Sequence, residues 1–347
     1  MLLPISHNIK SKKVGDCRLA IFSHLLSHYG IEVSPGDMLV ATAGLDFSLF
    51  KYQVGAQSCF FIAGRRLCVE DEYAKLIGLK WNKKRYQYNG LENLEVVMKE
   101  CRRDIIDLLE QGIPLYLMVD RFYLSYMSLR QVHMPYHAIL VVGYDLDKQE
   151  VYAIDSLQDE IVTLSFEVLL KAMFEKSIMK AESYAEIQYI KQCDEENINK
   201  NSIIEGITKQ KEIYFADGGP LDNMIATAEF LEKLLKRIEN CDDKKLLNYV
   251  KYQVSLLYTE MRDQDYGQLF YRGLYFEHIK SYIEKTEFNV NIKENVVELI
   301  EENINMWKKL INARHFGQKF ELVHVTTLIE GLRKICNMER EIFEVLV

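Results

Sequence analysis

Several things this chain of 347 residues does not have narrow its function. Basic residues do not exceed acidic ones: 43 Lys and Arg stand against 51 Asp and Glu, for a formal charge of −8. A nucleic-acid binder normally carries a basic excess, so that class is disfavoured. No apolar run approaches bilayer length; Ile139-Leu140-Val141-Val142 is strand-sized. Met1-Leu2-Leu3-Pro4 is followed by Ser6, His7 and Asn8, so no secretory apolar core is expected. Seven cysteines are scattered without a CxxC pair or the spacing of a disulfide framework. A cytoplasmic protein with reduced thiols and no membrane partner is expected. Phosphate-binding P-loops, GxGxxG fingerprints, GxSxG elbows and HExxH helices are also missing, which leaves nucleotide, serine-hydrolase and zinc-peptidase chemistry without support. Proline is scarce, five in all, and only Pro220 lies beyond residue 201.

What is present is ordinary for a globular protein, at 48% hydrophobic and 27% charged residues. The length allows one large domain or two ordinary ones. Up to about Tyr189 helical and strand patterns mix. Residues 114–119 read as a buried strand after a turn at Gln111-Gly112, and 138–145 with 151–155 read as a hairpin. Residues 165–180 have helical periodicity. The polar, acidic stretch 192–201 marks a boundary. Beyond it, 222–240, 244–261, 267–285, 293–314 and 321–345 are amphipathic and helical. The expected class is therefore α+β, with a mixed domain over 1–192 and an α-helical substrate or lid domain over 202–347.

Chemistry concentrates at Gly15-Asp16-Cys17-Arg18-Leu19-Ala20, the head of an apolar helix. A thiol in the first turn of a helix sits in the positive end of the helix dipole, which favours the nucleophilic thiolate. His137, entering a strand, and Asp155, ending the next one, are partners of the right kind: an imidazole to move the proton and a carboxylate to orient it. Taken singly, each has a plainer reading, as a core thiol, a core histidine and a turn-capping carboxylate. Together they point to acyl transfer. Strand geometry adds a condition. With a two-residue turn at Asp147-Lys148, Asp155 falls opposite Leu140 and His137 points to the other face. An odd-length loop or a β-bulge is needed to bring both onto one face.

The residues Val119-Asp120-Arg121-Phe122-Tyr123-Leu124-Ser125-Tyr126, then 136–145 from Tyr136-His137-Ala138 to Gly143-Tyr144-Asp145, then Val151-Tyr152-Ala153-Ile154-Asp155 carry a family resemblance. So do Cys17 with Ala20 and Gly30, and Arg65-Arg66 after Phe60-Phe61-Ile62. Over roughly residues 14–175 the chain resembles the N-terminal domain of the butirosin side-chain acyltransferase family, and closthioamide-type amide synthetases are similar in layout. It differs at Asp16, often histidine in that family, and at Ser125, often proline. The resemblance implies a papain-like domain, with an N-terminal helix on an antiparallel sheet. It implies Cys17 as nucleophile, His137 as base and acid, and Asp155 as the orienting residue. It also implies an acyl group delivered as a thioester on the phosphopantetheine arm of an acyl or peptidyl carrier protein, passed to a small amine in antibiotic biosynthesis. No other cofactor is expected. Alternative readings are a leader-cleaving papain-like peptidase and a non-catalytic binding module of the same fold.

Other constellations carry plainer readings beside sharper ones. His24 and His28 have a zinc-ligand spacing but no third ligand, so helix-face histidines are expected and no metal site. His133 and His137 share that spacing across the helix-breaking Pro135. Arg65, Arg66, Lys80, Lys83, Lys84 and Arg85 form either a solvated face or a dock for an acidic carrier. Tyr266, Tyr271, Tyr275 and Tyr282 read as core, or as a stacking surface for an acyl chain. For the oxyanion, the Cys17 backbone N–H is the natural donor and Asn8 the nearest upstream amide.

Overall fold

The computed structural model describes residues 1–3, 16–54, 57–127, 133, 136–174, 184–191, 202–239, 244–262, 268–285, 290–311 and 322–346. The chain is α+β and divides into two compact units, Met1–Pro35 with Glu70–Asn199, and Gly36–Val69 with Lys200–Val347.

The first unit is built on helix α1 (Cys17–His28). Asp16 caps it: the Asp16 carboxylate accepts the Leu19 N–H at 2.9 Å, satisfying a donor with no partner inside the helix. At the other end Gly30 takes a positive φ of 79°. The Gly30 N–H reaches the Ser27 carbonyl and the Ile31 N–H the Leu26 carbonyl, a Schellman closure that needs the left-handed residue glycine supplies. Between the caps Leu19, Ile21, Phe22, Leu25 and Leu26 are fully buried.

After α2 (Pro35–Ala41), β1 (Leu45–Val54) and β2 (Gln57–Arg65), which belong to the second unit, come α3 (Val69–Leu76), β3 (Trp81–Gln87) and α4 (Leu91–Glu110). Strands β4 (Leu115–Val119), β5 (His137–Asp145), β6 (Glu150–Ile154) and β7 (Val162–Ser165) follow, then α5 (Phe166–Phe174) and β8 (Tyr184–Ile190). They form a six-stranded sheet in the order β3-β8-β4-β5-β6-β7, every pair antiparallel. β5 lies inside it and is buried along almost its whole length, which explains why Ile139 to Val142 is a continuous apolar run rather than an alternating one. Helix α1 packs against this sheet, with Phe22 edge-on to Trp81 at 4.9 Å and to Tyr116 at 6.4 Å.

The second unit holds α6 (Ser202–Phe215), α7 (Pro220–Glu239), α8 (Lys244–Arg262), α9 (Gln268–Lys285), α10 (Val290–Ile311) and α11 (Leu322–Leu346). The helical expectation for this half holds, and α6 is an addition to it. The unit is not purely helical, however. It contains the antiparallel hairpin β1–β2, whereas the sequence reading kept everything up to residue 192 in the first domain. Side chains from the helices fix the hairpin there. Gln210 accepts the Leu45 N–H at 2.8 Å and donates to its carbonyl at 3.0 Å, and Gln268 donates to the Ala63 carbonyl at 2.8 Å. Such long-range caps leave no local trace in a sequence.

A fully buried ion pair sits at the centre of this unit. Arg272 Nε donates to Glu339 Oε1 at 2.7 Å, and the pair is 0% exposed on both sides. Trp307 Nε1 donates to the same oxygen at 2.9 Å, Tyr214 donates to the other, and Arg272 also reaches Gln268 and the Asp46 carbonyl. Burial alone opposes the charge on Arg272, but Glu339 outweighs it and raises its pKa. Removing one partner leaves an uncompensated buried charge, so Glu339→Ala should destabilise this unit by about 3–5 kcal/mol. Trp81 and Trp307 are the two tryptophans of the chain. Urea unfolding followed by Trp307 emission in a Trp81→Phe background reads that loss directly. The double replacement Arg272→Met with Glu339→Leu should recover the part owed to the unpaired charge, while Trp307 and Tyr214 remain without their carboxylate acceptor. A loss below about 1 kcal/mol for Glu339→Ala would show that the pair does not organise the unit.

Candidate active site

Asp16 sets the start of α1 and so places Cys17 at its first helical position, half-buried. The role of Asp16 as the helix cap follows the ordinary preference for Asp at that position. Gly15 and Asn8 lie outside the described residues.

His137 opens β5, opposite Val119 of β4. Its position relative to Asp155 depends on register. Near the β5–β6 turn the pairs are Asp145 with Glu150, Tyr144 with Val151 and Gly143 with Tyr152. That is the register of a two-residue turn, and it would put His137 and Asp155 on opposite faces. Between Val141 and Gly143 the register shifts, and the pairing becomes Val141 with Ala153 and Leu140 with Ile154. Continuing it puts Asp155 opposite Ile139, on the face of His137. The bulge that the strand geometry demands is present.

The side chains meet accordingly. His137 Nε2 lies 2.7 Å from Asp155 Oδ2, with His137 5% exposed and Asp155 0%. The imidazole is also hydrogen-bonded to Cys17, and the Ala138 backbone N–H lies 3.5 Å from Cys17 Sγ. With Nε2 facing Asp155, Nδ1 is the ring atom left for the thiol. Asp155 accepts two further donors, the Tyr126 hydroxyl on Oδ2 at 2.8 Å and the Leu157 N–H on Oδ1 at 2.9 Å. Burial works against a charged carboxylate, but these bonds and the His137 charge outweigh it and hold Asp155 below the ordinary carboxylate range. Burial likewise opposes an imidazolium at His137. Here the Cys17 charge, the Asp155 bond and the Cys17 bond prevail and raise its pKa well above the ordinary value. The site thus favours a protonated imidazole between two acceptors. The residue before it, Tyr136, has a φ of +75°, which is strained for a side chain with a Cβ.

Two other free thiols contrast with Cys17. Cys101 and Cys336 are buried and their pKa values are raised, that of Cys336 to about 12, with burial the first cause in each. Such thiols are inert. The histidine spacings also resolve. His133 and His137 do not converge: His133 Nδ1 pairs with Asp120 Oδ2 at 2.8 Å and the ring stacks on Phe122 at 4.1 Å, while His137 pairs with Asp155. Burial lowers the pKa of both His24 and His28, and the His28 ring packs edge-on to Tyr29. Several of the basic residues are paired with carboxylates. Lys83 pairs with Asp71, Lys84 with Glu100 and Asp104, and Arg85 with Glu186. Arg65 and Arg66 belong to the other unit, where Arg66 donates to the Thr42 carbonyl at 3.0 Å behind the end of α2. A paired, solvated face is the reading that fits. Tyr126 has no role in the sequence reading, although it closes the quoted stretch 119–126, and its position there is the signal that points to it.

Residues 16–156 match the family model described as Butirosin biosynthesis protein H, N-terminal. The family resemblance drawn from the sequence is borne out over this stretch. It spans Cys17, His137 and Asp155 together. A comparison with curated proteins found no match. Among the described residues no helix is long and apolar enough to cross a membrane.

The opposed shifts of His137 and Asp155 make a pH test. A raised histidine pKa adds stability that is fully present below its unfolded value, near 6.5, and is lost as pH rises through the folded value. The lowered Asp155 pKa adds stability present above about 3.8 and lost as pH falls through its folded value. The stability advantage of the wild type over His137→Gln, read from hydrogen exchange of β5 amides, should therefore be largest between those limits. It should shrink steadily on the alkaline side. An advantage that grows with rising pH contradicts the charged pair.

Proposed function

We propose that this protein is a cysteine-dependent acyltransferase of papain-like design. It takes an acyl group from a carrier-protein thioester onto Cys17 and passes it to a small amine, forming an amide in antibiotic biosynthesis. The observation that carries the proposal is the convergence of Cys17, at the first turn of α1, on the buried His137–Asp155 pair. A nucleophile-bearing helix packed on an antiparallel sheet is the papain-like arrangement, and the match over 16–156 supports the biosynthetic setting. The thiolate of Cys17 attacks the thioester carbon, and the tetrahedral oxyanion is stabilised by the Cys17 backbone N–H. The intermediate collapses with departure of the phosphopantetheine thiol, which takes the proton from His137. The amine then attacks the acyl-enzyme, His137 accepts its proton, and Cys17 departs as thiolate. Asp155 holds the imidazole in line throughout. The residues require no metal or bound cofactor for this cycle; the acyl donor arrives on its carrier, in the cytoplasm.

Cys17→Ala should fold normally by circular dichroism and lose turnover altogether. His137→Ala should be nearly as severe, because groups acting as a unit do not contribute additively, and Asp155→Asn should retain part of the rate. Substantial turnover by Cys17→Ala removes the nucleophile. An acyl adduct on Cys17, seen by mass spectrometry after incubation with loaded carrier protein, distinguishes an enzyme from a binding module of the same fold.

The second test concerns the acceptor. Passing an acyl group from one thiol to another costs little free energy, so selection falls on the next step, where concentrated water competes with dilute amine. A synthase gains from proximity and water exclusion what concentration denies it. Product partitioning with a small thioester mimic, with and without a primary diamine, should give amide at saturating amine. Free acid dominating under those conditions sinks the synthase reading, and cleavage of a leader peptide would establish a peptidase instead.

A further inference from the structure

Asp155 Oδ2 carries two hydrogen bonds, one from His137 Nε2 at 2.7 Å and one from the Tyr126 hydroxyl at 2.8 Å. Tyr126 follows a 3₁₀ turn (Arg121–Tyr123) that Asp120 caps through the Phe122 N–H at 3.1 Å. Asp120 is itself buried, and its own N–H is held by the Ala172 carbonyl at 2.9 Å. The turn is therefore anchored from the end of β4 and from α5, and it delivers the hydroxyl to Asp155 from a fixed base. Oδ1 is taken by the Leu157 N–H. Both carboxylate oxygens are thus engaged, and His137 shares its oxygen with a competitor.

Resting on the acyl-transfer reading, we propose that Tyr126 is a positioning residue of the active site, which fixes Asp155 for His137 and weakens the hold of Asp155 on the imidazolium. Two donors on one oxygen compete: electron density drawn by the hydroxyl is withheld from the imidazole. The consequence matters because His137 must change charge twice in each cycle. Bound by an unshared carboxylate, the imidazolium would keep Cys17 ionised but would give up its proton reluctantly to the departing thiol. A shared oxygen moves its acidity toward the working pH, where an acid–base group is most effective. Among the described residues, the groups acting on this imidazole are Cys17 from α1 and Asp155 beyond β6. Tyr126 bears on Asp155 from the turn, and the Arg121 charge acts on Tyr126 itself.

The test is Tyr126→Phe, which removes one oxygen and leaves the ring. It is made in the full-length Cys17→Ala background, so that no thiolate shares the titration. In ¹⁵N-histidine-labelled protein the His137 signals are assigned by their loss in His137→Gln. The titration midpoint should move up by roughly half a unit to one unit on Tyr126→Phe, a fraction of what a hydrogen bond to a charged group is worth. A purely structural role predicts the opposite sign, because an Asp155 released from its orientation supports the imidazolium less. An unchanged or lowered midpoint overturns the proposal. In an Asp155→Asn background the same substitution should leave the midpoint where it was, and a shift of equal size there also overturns it. With Cys17 restored, Tyr126→Phe should lower kcat several-fold at neutral pH with KM unchanged; a loss confined to KM contradicts a role through His137. The titration needs no turnover. Should the wild type prove unable to transfer acyl groups, an upward shift would still establish the shared oxygen while the acyl-transfer reading fell.

Discussion

The site rests on a one-residue irregularity in a buried strand. Side chains alternate along β5, so the shift between Val141 and Gly143 decides whether His137 and Asp155 share a face or are separated by the sheet. Without it no rotamer of either residue could close a 2.7 Å contact. The other edge of β5 changes partner at the same point. β4 pairs with β5 only as far as Val141, and beyond that point Met1–Leu3 lie along β5, with the Leu3 N–H on the Val142 carbonyl and the Tyr144 N–H on the Met1 carbonyl. The main chains approach so closely that a Cβ on Gly143 would sit 2.5 Å from the Met1 oxygen. Glycine at 143 is thus a requirement of packing, placed beside the shift in register.

Much of this was legible in the sequence for physical reasons. Helix α1 announces itself by Asp16, an apolar run and Gly30, all local signals. The β5–β6 hairpin is marked by two apolar stretches around Asp145-Leu146-Asp147-Lys148-Gln149. The need for a bulge followed from parity alone. Four of the helices from residue 220 onward, α7, α8, α10 and α11, show an amphipathic periodicity that tertiary context did not override; α9 is helical but buries Gln268 and Arg272 among its apolar residues and has no such stripe.

What could not be read was whatever depends on partners far apart in the chain. The hairpin β1–β2 lies in the first half of the sequence, yet its backbone is satisfied by Gln210 and Gln268, more than 160 positions away for Gln210 and 205 for Gln268. Nothing in residues 45–65 says where those bonds go. The basic residues show the same dependence: the carboxylates that neutralise Lys83, Lys84 and Arg85 come from α3, α4 and β8, which sequence proximity does not reveal. Tyr126 was visible as part of a pattern, but its bond to Asp155 spans 29 residues.

Each unit buries a carboxylate, and the difference between the two separates structure from chemistry. Glu339 and Asp155 are both 0% exposed, and both offset that burial with several donors. Glu339 receives Arg272, Trp307 and Tyr214, none of which can surrender a proton near neutral pH. Such a cluster is fixed, and all it can do is hold helices and hairpin together. Asp155 receives a backbone N–H, a tyrosine and a histidine, and the histidine changes charge within the physiological range once its neighbours change theirs. Its second acceptor is a half-buried thiol at the start of a helix, open to a reagent that the core thiols Cys101 and Cys336 never meet. The same cost of burying a charge produces a rivet in one unit. In the other it produces an imidazole whose proton has somewhere to go.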